Sequence, residues 1–219
     1  MMKKETSQQE DLLQSSLMLS RQGLNHGATG NLSCRSNNTF IITPSGVNLE
    51  NLDAESMVEL GIDGKLISSE SRHKPSSEWL FHRDIYASRN DINAIVHTHS
   101  VFSSTLSVLG EGIPAFHYMI AVAGGDSIRC SDYALFGTQE LSNNIIAAMA
   151  QRKACLISNH GMIAIGKNLN EAINIAIEVE HLAQLYVQAK MIGNPKLLND
   201  NQMLEVINKF KTYGEWSKD

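Results

Sequence analysis

The chain has 219 residues, of which 42% are hydrophobic, with 18 basic against 23 acidic side chains and a formal net charge of -5. That is enough apolar material for a buried core. The acidic balance excludes the basic footprint of a nucleic-acid binder, and no apolar run nears the ~20 residues of a membrane helix.

The opening stretch MMKKETSQQE lacks the apolar core of roughly 7–15 residues that marks a secretory signal. Residues 8–22 then predict a helix: Leu13 and Leu17 are four apart, Leu24 continues the stripe, and Gly23 with NHGATGN ends it. SCRSNNTFIITPSG predicts two short strands about the turn pair Asn37-Asn38. Pro75-Ser76-Ser77 open a helix over about 77–89, with the serines as N-caps and Phe81 and Ile85 at i, i+4. NAIVHTH, 93–99, reads as a strand. A period of two puts Ala94, Val96 and Thr98 on one face and Ile95, His97 and His99 on the other. Ser100 is placed to cap a helix that runs to Leu109 and stops at Gly110. IPAFHYMIAV predicts a further strand, and helix signals follow at 137–151. KACLISN and MIAIG predict strands around Asn159-His160-Gly161. A long helix over about 169–191 ends at Gly193-Asn194-Pro195, and a short one covers about 200–211. No repeat, low-complexity tract or linker interrupts 1–219, so one domain is expected, of α/β or α+β class around one sheet. Cys34, Cys130 and Cys155 are odd in number and scattered, which reads as reduced, buried thiols in a cytoplasmic protein.

The chemistry gathers at IVHTHS. His97 and His99 stand at i, i+2 on a strand, so both rings project from one face and can converge on one ion. A lone strand histidine is more often structural, and a same-face pair is stronger evidence for a ligand set. His160 lies in Asn-His-Gly at a tight turn after an apolar strand, and Glu78 lies in the first turn of a helix. Three imidazoles and a carboxylate would fill a four-coordinate site, and a carboxylate that leaves the ion becomes a base beside a Lewis acid. Ser76 and Ser77 sit at a helix N-terminus, where free N–H groups favour an anion. The loops GATGN, 27–31, and TPSG, 43–46, are rich in backbone donors and can wrap a phosphate without lysines. No lysine sits in an apolar run, so a Schiff-base mechanism has no support.

The motifs HGATGNLS, ITPSG, KPSSEWLFH, IVHTHS, HYMIAVAGG, LFGTQEL, NHG and FKTYG occur in order from about residue 12 to residue 214. Together they resemble the class II aldolase family. The resemblance implies a single three-layer α/β/α domain with a central, mostly antiparallel sheet, assembled as a C4 homotetramer with active sites between subunits. It implies Zn2+ held by Glu78, His97, His99 and His160, and a phosphate cradle of Gly30, Asn31, Ser45, Gly46, Ser76 and Ser77. It also implies proton transfer by Glu78 and Tyr118, an aldehyde pocket at Phe136, and a closing tail at Tyr213. The chain departs from the family pattern at Ala28, where a phosphate-contacting threonine is usual, with Thr29 beside it, and at His26 and Asn159.

The reaction the resemblance implies is reversible cleavage of a ketose 1-phosphate, first of all L-fuculose 1-phosphate, to dihydroxyacetone phosphate and L-lactaldehyde. A 5-deoxy-pentulose-phosphate aldolase, a pentulose-phosphate 4-epimerase, an oxo-tetronate-phosphate decarboxylase and a methylthioribulose-phosphate dehydratase remain open alternatives. So does a non-catalytic, adducin-like binding module. AFHYMIAVAGG and LFGTQEL favour the aldolase branch. His73, His82, His117 and His181 have no partner at ligand spacing and fall outside the expected site.

Overall fold

The computed structural model describes residues 7–48, 51–67 and 72–211. Seven strands form one sheet: β1 (Asn31–Ser36), β2 (Thr39–Ile42), β3 (Val58–Gly61), β4 (Ala94–Thr98), β5 (Arg129–Ser131), β6 (Ala154–Ile157) and β7 (Gly161–Gly166). Their order is β3-β2-β1-β4-β7-β6-β5. Every pairing is antiparallel except β5 with β6, which is parallel. The Asn37-Asn38 turn joins β1 to β2 as expected, and Asn37 takes the left-handed conformation that such a turn demands (φ 56°).

Six α-helices cover the sheet: α1 (Gln8–Arg21), α2 (Trp79–Ser88), α3 (Val101–Ser107), α4 (Gln139–Ala148), α5 (Leu169–Ile192) and α6 (Asp200–Phe210). The strands' alternation sorts them into layers. Leu32, Cys34, Ala94, Val96, Leu156, Met162 and Ala164 pack with α1, α3, α5 and α6. Phe40, Ile42, Ile95, Cys155, Ile157, Ile163 and Ile165 pack with α2 and α4. The result is the expected α/β/α sandwich. β4 lies at its centre, hydrogen-bonded on both edges and buried at every residue.

Three local expectations are corrected. IPAFHYMIAV is no strand; its core is a 3-10 helix, Tyr118–Ala123, capped by His117 and ended by Gly124 at φ 89°. Burial of Ile120 and Ala123, three apart, with Tyr118 exposed, follows the three-residue turn of that helix and not the two-residue period of a strand. The α2 helix begins at Trp79, with Glu78 rather than a serine at the N-cap position. Ser76 Oγ instead accepts from the Glu78 N–H at 3.3 Å. Ser100 does stand at the N-cap of α3, but its side chain makes no cap bond.

Glu180, reaching over from α5, caps α3 in its place. Its carboxylate accepts from the N–H groups of Phe102 and Ser103, both at 2.8 Å, and from Ser100 Oγ at 2.7 Å. A carboxylate at a helix N-terminus satisfies otherwise unpaired donors and meets the positive end of the helix dipole. This contact fixes the chain immediately after His99. Glu180→Ala is therefore expected to cost about 2 kcal/mol of unfolding free energy, measured by urea denaturation, with Glu180→Gln intermediate.

Candidate metal centre

β4 delivers two of the four candidate ligands. His97 is wholly buried, on the α2 side of the sheet as the alternation predicts. Its Nδ1 lies 2.9 Å from the Met162 carbonyl. A carbonyl only accepts, so Nδ1 carries the proton and Nε2 presents a lone pair. His99 follows the last strand residue, and its backbone N–H donates to Asn25 Oδ1 at 3.2 Å. The Asn25 side chain packs against Gly30, whose φ of 75° and lack of a Cβ allow that approach.

The Asn159-His160-Gly161 turn supplies the third imidazole, each residue for its own reason. Asn159 is left-handed (φ 55°), a conformation that asparagine tolerates better than most residues. The N–H groups of Asn159 and His160 donate to the Ser107 carbonyl and hydroxyl, which holds the turn. A Cβ on Gly161 would lie 2.4 Å from the Thr98 carbonyl oxygen, so only glycine lets β7 start this close to the His97-Thr98-His99 segment.

Glu78 at the start of α2 completes the set. Its Oε2 is 3.2 Å from His97 Nε2, and its Oε1 is 3.1 Å from His160 Nε2. His97 Nε2 and His99 Nε2 are 2.9 Å apart, and the four donor atoms all lie within 4.8 Å of one another. Ligands about one ion at bond lengths of about 2.0–2.1 Å sit about 3.3 Å apart in a tetrahedral arrangement. Glu78 Oε1 is close to an imidazole nitrogen yet buried with no hydrogen bond. An orphaned carboxylate oxygen among converging imidazole lone pairs fits a divalent cation, and the group is a divalent-metal site.

The electrostatics agree. Burial pushes the Glu78 carboxyl up, but His97 and His160 together outweigh it and hold the group well below the usual carboxylate range. Burial pushes His97 down, and the facing Glu78 more than reverses this, so its pKa is raised. Burial, with His97 and His160 nearby, lowers His99 to about 3. His82 is likewise lowered to about 3 by burial, with His97 adding to it.

Beside the centre lies a cleft of about 380 Å³. Gly30, Asn31, Ser45, Gly46, Ser76, Ser77 and Phe136 line it, together with Glu78, His99 and His160. The TPSG and KPSSE loops meet there because they pair: Pro44 bridges Pro75, the Ser45 N–H donates to the Lys74 carbonyl, and the Ser76 N–H donates to the Thr43 carbonyl. Neither lysine nor arginine is among the lining residues. Thr29 does not replace the threonine expected at Ala28, since its hydroxyl donates to the His26 carbonyl at 2.7 Å. Tyr133 and Asn159 also line the cleft, and nothing in their spacing announced it.

One expected residue lies elsewhere, and another cannot be placed among the described residues. Tyr118 is 52% exposed and borders a separate apolar pocket with Met119, Val206, Lys209 and Phe210. Tyr213 lies outside the described residues. Sequence reasoning missed Asn25, and it set aside His82, whose ring nitrogens are 2.6 Å from Asn31 Oδ1 and 2.7 Å from Ser33 Oγ. The signal for His82 was its position four residues after Glu78, one turn along the same helix face.

Residues 10–187 match the family described as "Class II Aldolase and Adducin N-terminal domain". The 5-methylthioribulose-1-phosphate/5-deoxyribulose-1-phosphate aldolase of Rhodospirillum rubrum is 48% identical over 204 residues, 93% of this chain and 91% of that protein. The L-fuculose phosphate aldolase of Escherichia coli K12 is 46% identical over 204 residues, 93% of this chain and 94% of that protein. A solved L-fuculose 1-phosphate aldolase superposes with a TM-score of 0.89 at 39% identity, covering 94% of this chain and 98% of that one.

The raised pKa of His97 predicts competition between a proton and the ion. Apparent affinity for a divalent cation should climb as pH rises and His97 loses its proton, with proton release accompanying binding. Calorimetry in buffers of different ionisation enthalpy measures both. Gly161→Ala should weaken that affinity by about tenfold or more, read by competition with a chromophoric chelator.

Proposed function

The chain belongs to the class II aldolase and adducin family, and from that premise we propose that it is a Zn2+-dependent aldolase acting on ketose 1-phosphates. It is a metal-dependent sugar-phosphate lyase on the strength of its relatives and its three-histidine, one-glutamate centre. The observation that carries the finer reading is the junction of that centre with a cleft of hydroxyls and backbone donors, sized for a small phosphorylated molecule.

Gly30, Asn31, Ser45, Gly46, Ser76 and Ser77 bind the phosphate and fix the substrate by its unreactive end, which supplies orientation. When bound, the divalent ion acts as a Lewis acid that polarises the ketose carbonyl and stabilises developing negative charge. In cleavage the hydroxyl on the future aldehyde carbon loses its proton. The adjacent carbon–carbon bond breaks, and its electron pair passes into the enediolate of dihydroxyacetone phosphate. Glu78, once it has left the centre and taken up a proton from water, delivers that proton to the carbon that lost its partner, and takes it back in synthesis. Oε1, the oxygen without a hydrogen bond, is the one free to do so. Tyr118 handles the proton on the aldehyde-forming oxygen. Its exposure outside its own chain's cleft suits service to a neighbouring copy. Phe136, in the cleft lining, serves the aldehyde side.

L-Fuculose 1-phosphate is the first substrate: removing the three carbons of dihydroxyacetone phosphate leaves L-lactaldehyde. A second reading, cleavage of 5-deoxyribulose 1-phosphate to acetaldehyde, is favoured by the 48% identity to the Rhodospirillum rubrum enzyme. Steady-state kcat/KM on the two sugars, with carbon dioxide release and pentulose epimerisation as controls, separates these readings from each other and from the decarboxylases and epimerases. An adducin-like binding module has no use for a complete donor set. The assembly is a C4 homotetramer, supported by the exposed apolar side chains Val108, Leu109, Ile192 and Leu204. A cytoplasmic location is supported by its three unpaired cysteines; separately, no helix among the described residues is long and apolar enough to cross a membrane.

Glu78→Gln is expected to lower kcat for cleavage by about 10²–10⁴-fold and to suppress solvent proton exchange on dihydroxyacetone phosphate; exchange at the wild-type rate would remove Glu78 from the mechanism. Light scattering should give a mass about four times that of one chain, and Tyr118→Phe should lower kcat without dissociating the assembly.

A further inference from the structure

Behind Glu78 a chain of buried polar groups crosses an otherwise apolar layer. Asn31 Nδ2 is 2.9 Å from Glu78 Oε2. Asn31 Oδ1 is 2.6 Å from His82 Nε2. His82 Nδ1 is 2.7 Å from Ser33 Oγ, and Ser33 Oγ is 2.8 Å from the Tyr86 hydroxyl. Asn31, Ser33, His82 and Tyr86 are all buried among Phe40, Phe81, Ile85 and Ile95.

The geometry follows from two periodicities. Residues 31 and 33 are successive same-face positions of β1, and 78, 82 and 86 are successive turns of one face of α2. Two strand residues advance about 6.7 Å and four helix residues about 6 Å, so the rungs stay in register. Arg35, the next same-face strand position, lies over the Tyr86 ring at 4.8 Å and closes the ladder.

The direction of every bond is fixed from the carboxylate end. A carboxylate only accepts, so Asn31 must present Nδ2 to Glu78. Oδ1 then faces His82, which must donate from Nε2. Its Nδ1 is left with the lone pair and must accept from Ser33, whose oxygen in turn accepts from Tyr86. Four hydrogen bonds run one way, all towards Glu78. Reversing any of them sets donor against donor or acceptor against acceptor in a dry interior, which is costly.

We propose that His82 is a positioning residue for Glu78. Acting through Asn31, it pins Oε2 and leaves Oε1 as the oxygen that exchanges the substrate proton. The Asn31 amide thereby serves the carboxylate as well as the cleft. Only the role of Glu78 as the base rests on the aldolase reading; the ordering of the chain does not.

Long-range ¹H–¹⁵N correlation on histidine-labelled, metal-free protein reads the His82 tautomer directly. The expected result is Nε2–H with a bare Nδ1, unchanged on loading with Zn2+. An Nδ1–H tautomer overturns the proposal, whether or not the enzyme cleaves the sugar phosphates. His82→Leu should lower kcat and the proton-exchange rate together by about 10–100-fold, with KM within about twofold. His82→Gln, which keeps a donor towards Asn31, should recover kcat to within about threefold of wild type. Equal kcat in all three proteins, or a loss confined to KM or shared equally by the Leu and Gln variants, assigns His82 a purely structural role and overturns the proposal. If the Leu variant does not fold, the tautomer and the Gln variant decide. A wild type that cleaves no ketose 1-phosphate yet shows the Nε2–H form refutes the aldolase reading and leaves the ordered chain standing.

Discussion

Four electron-pair donors aimed at one point beside a cleft are mutually unfavourable without a proton or a cation between them. The fold must hold Glu78, His97, His99 and His160 in that arrangement against their own repulsion. The burden falls on the central strand and its neighbours. β4 is hydrogen-bonded along both edges, so the His97 backbone cannot shift without breaking the sheet. Its Nδ1 contact to Met162 fixes which nitrogen faces inwards. His99, just past the strand, is held by Asn25 from one side and by the Glu180-clamped start of α3 from the other. The ligands thus arrive from a rigid sheet, a tight hairpin and a helix N-terminus, and each is oriented by a neighbour that never touches the ion.

The second half of the site obeys a different rule. Its loops present neutral donors and owe their position to backbone pairing between segments about thirty residues apart, through Pro44 and Pro75. Ser76 lies on this seam, and Glu78 lies two residues further along. The proposed phosphate cradle and the metal centre are therefore not independent parts, since one short stretch lines the cleft and carries Glu78. On the proposed reading, a substrate held by that cradle would be set against the carboxylate by the geometry of a single helix start.

Much of this was legible in the sequence where local pattern and tertiary role coincide. The β4 alternation, the Asn37-Asn38 turn and the long apolar α5 carry strong local signals, and the structure follows them. β3 and β5 were not foreseen: at four and three residues they are too short for a period to stand out, and pairing partners define them. IPAFHYMIAV reads as a strand because apolar runs do not reveal their period; the left-handed Gly124 and the three-residue burial rhythm decide otherwise. Ser76, Ser77 and Ser100 look like N-caps by type, yet Glu78 and Glu180 take those places, and a carboxylate arriving from eighty residues away leaves no local trace. The ligands were identified because the histidine spacing and the motif order are distinctive. His82 escapes notice because its partners are an amide and a hydroxyl, which leave no ligand spacing in the sequence.

The absence of lysine and arginine from the cleft lining also governs how the substrate arrives. On a chain of net charge -5, a phosphate ester meets mild repulsion at long range, and its attraction comes close in, from the divalent ion and from dipoles whose reach is a few ångströms. Among the described residues, no cationic side chain in the cleft lining draws it inwards. Dissolved salt, which slows proteins that lure anions with cationic patches, here screens the repulsion and quickens capture.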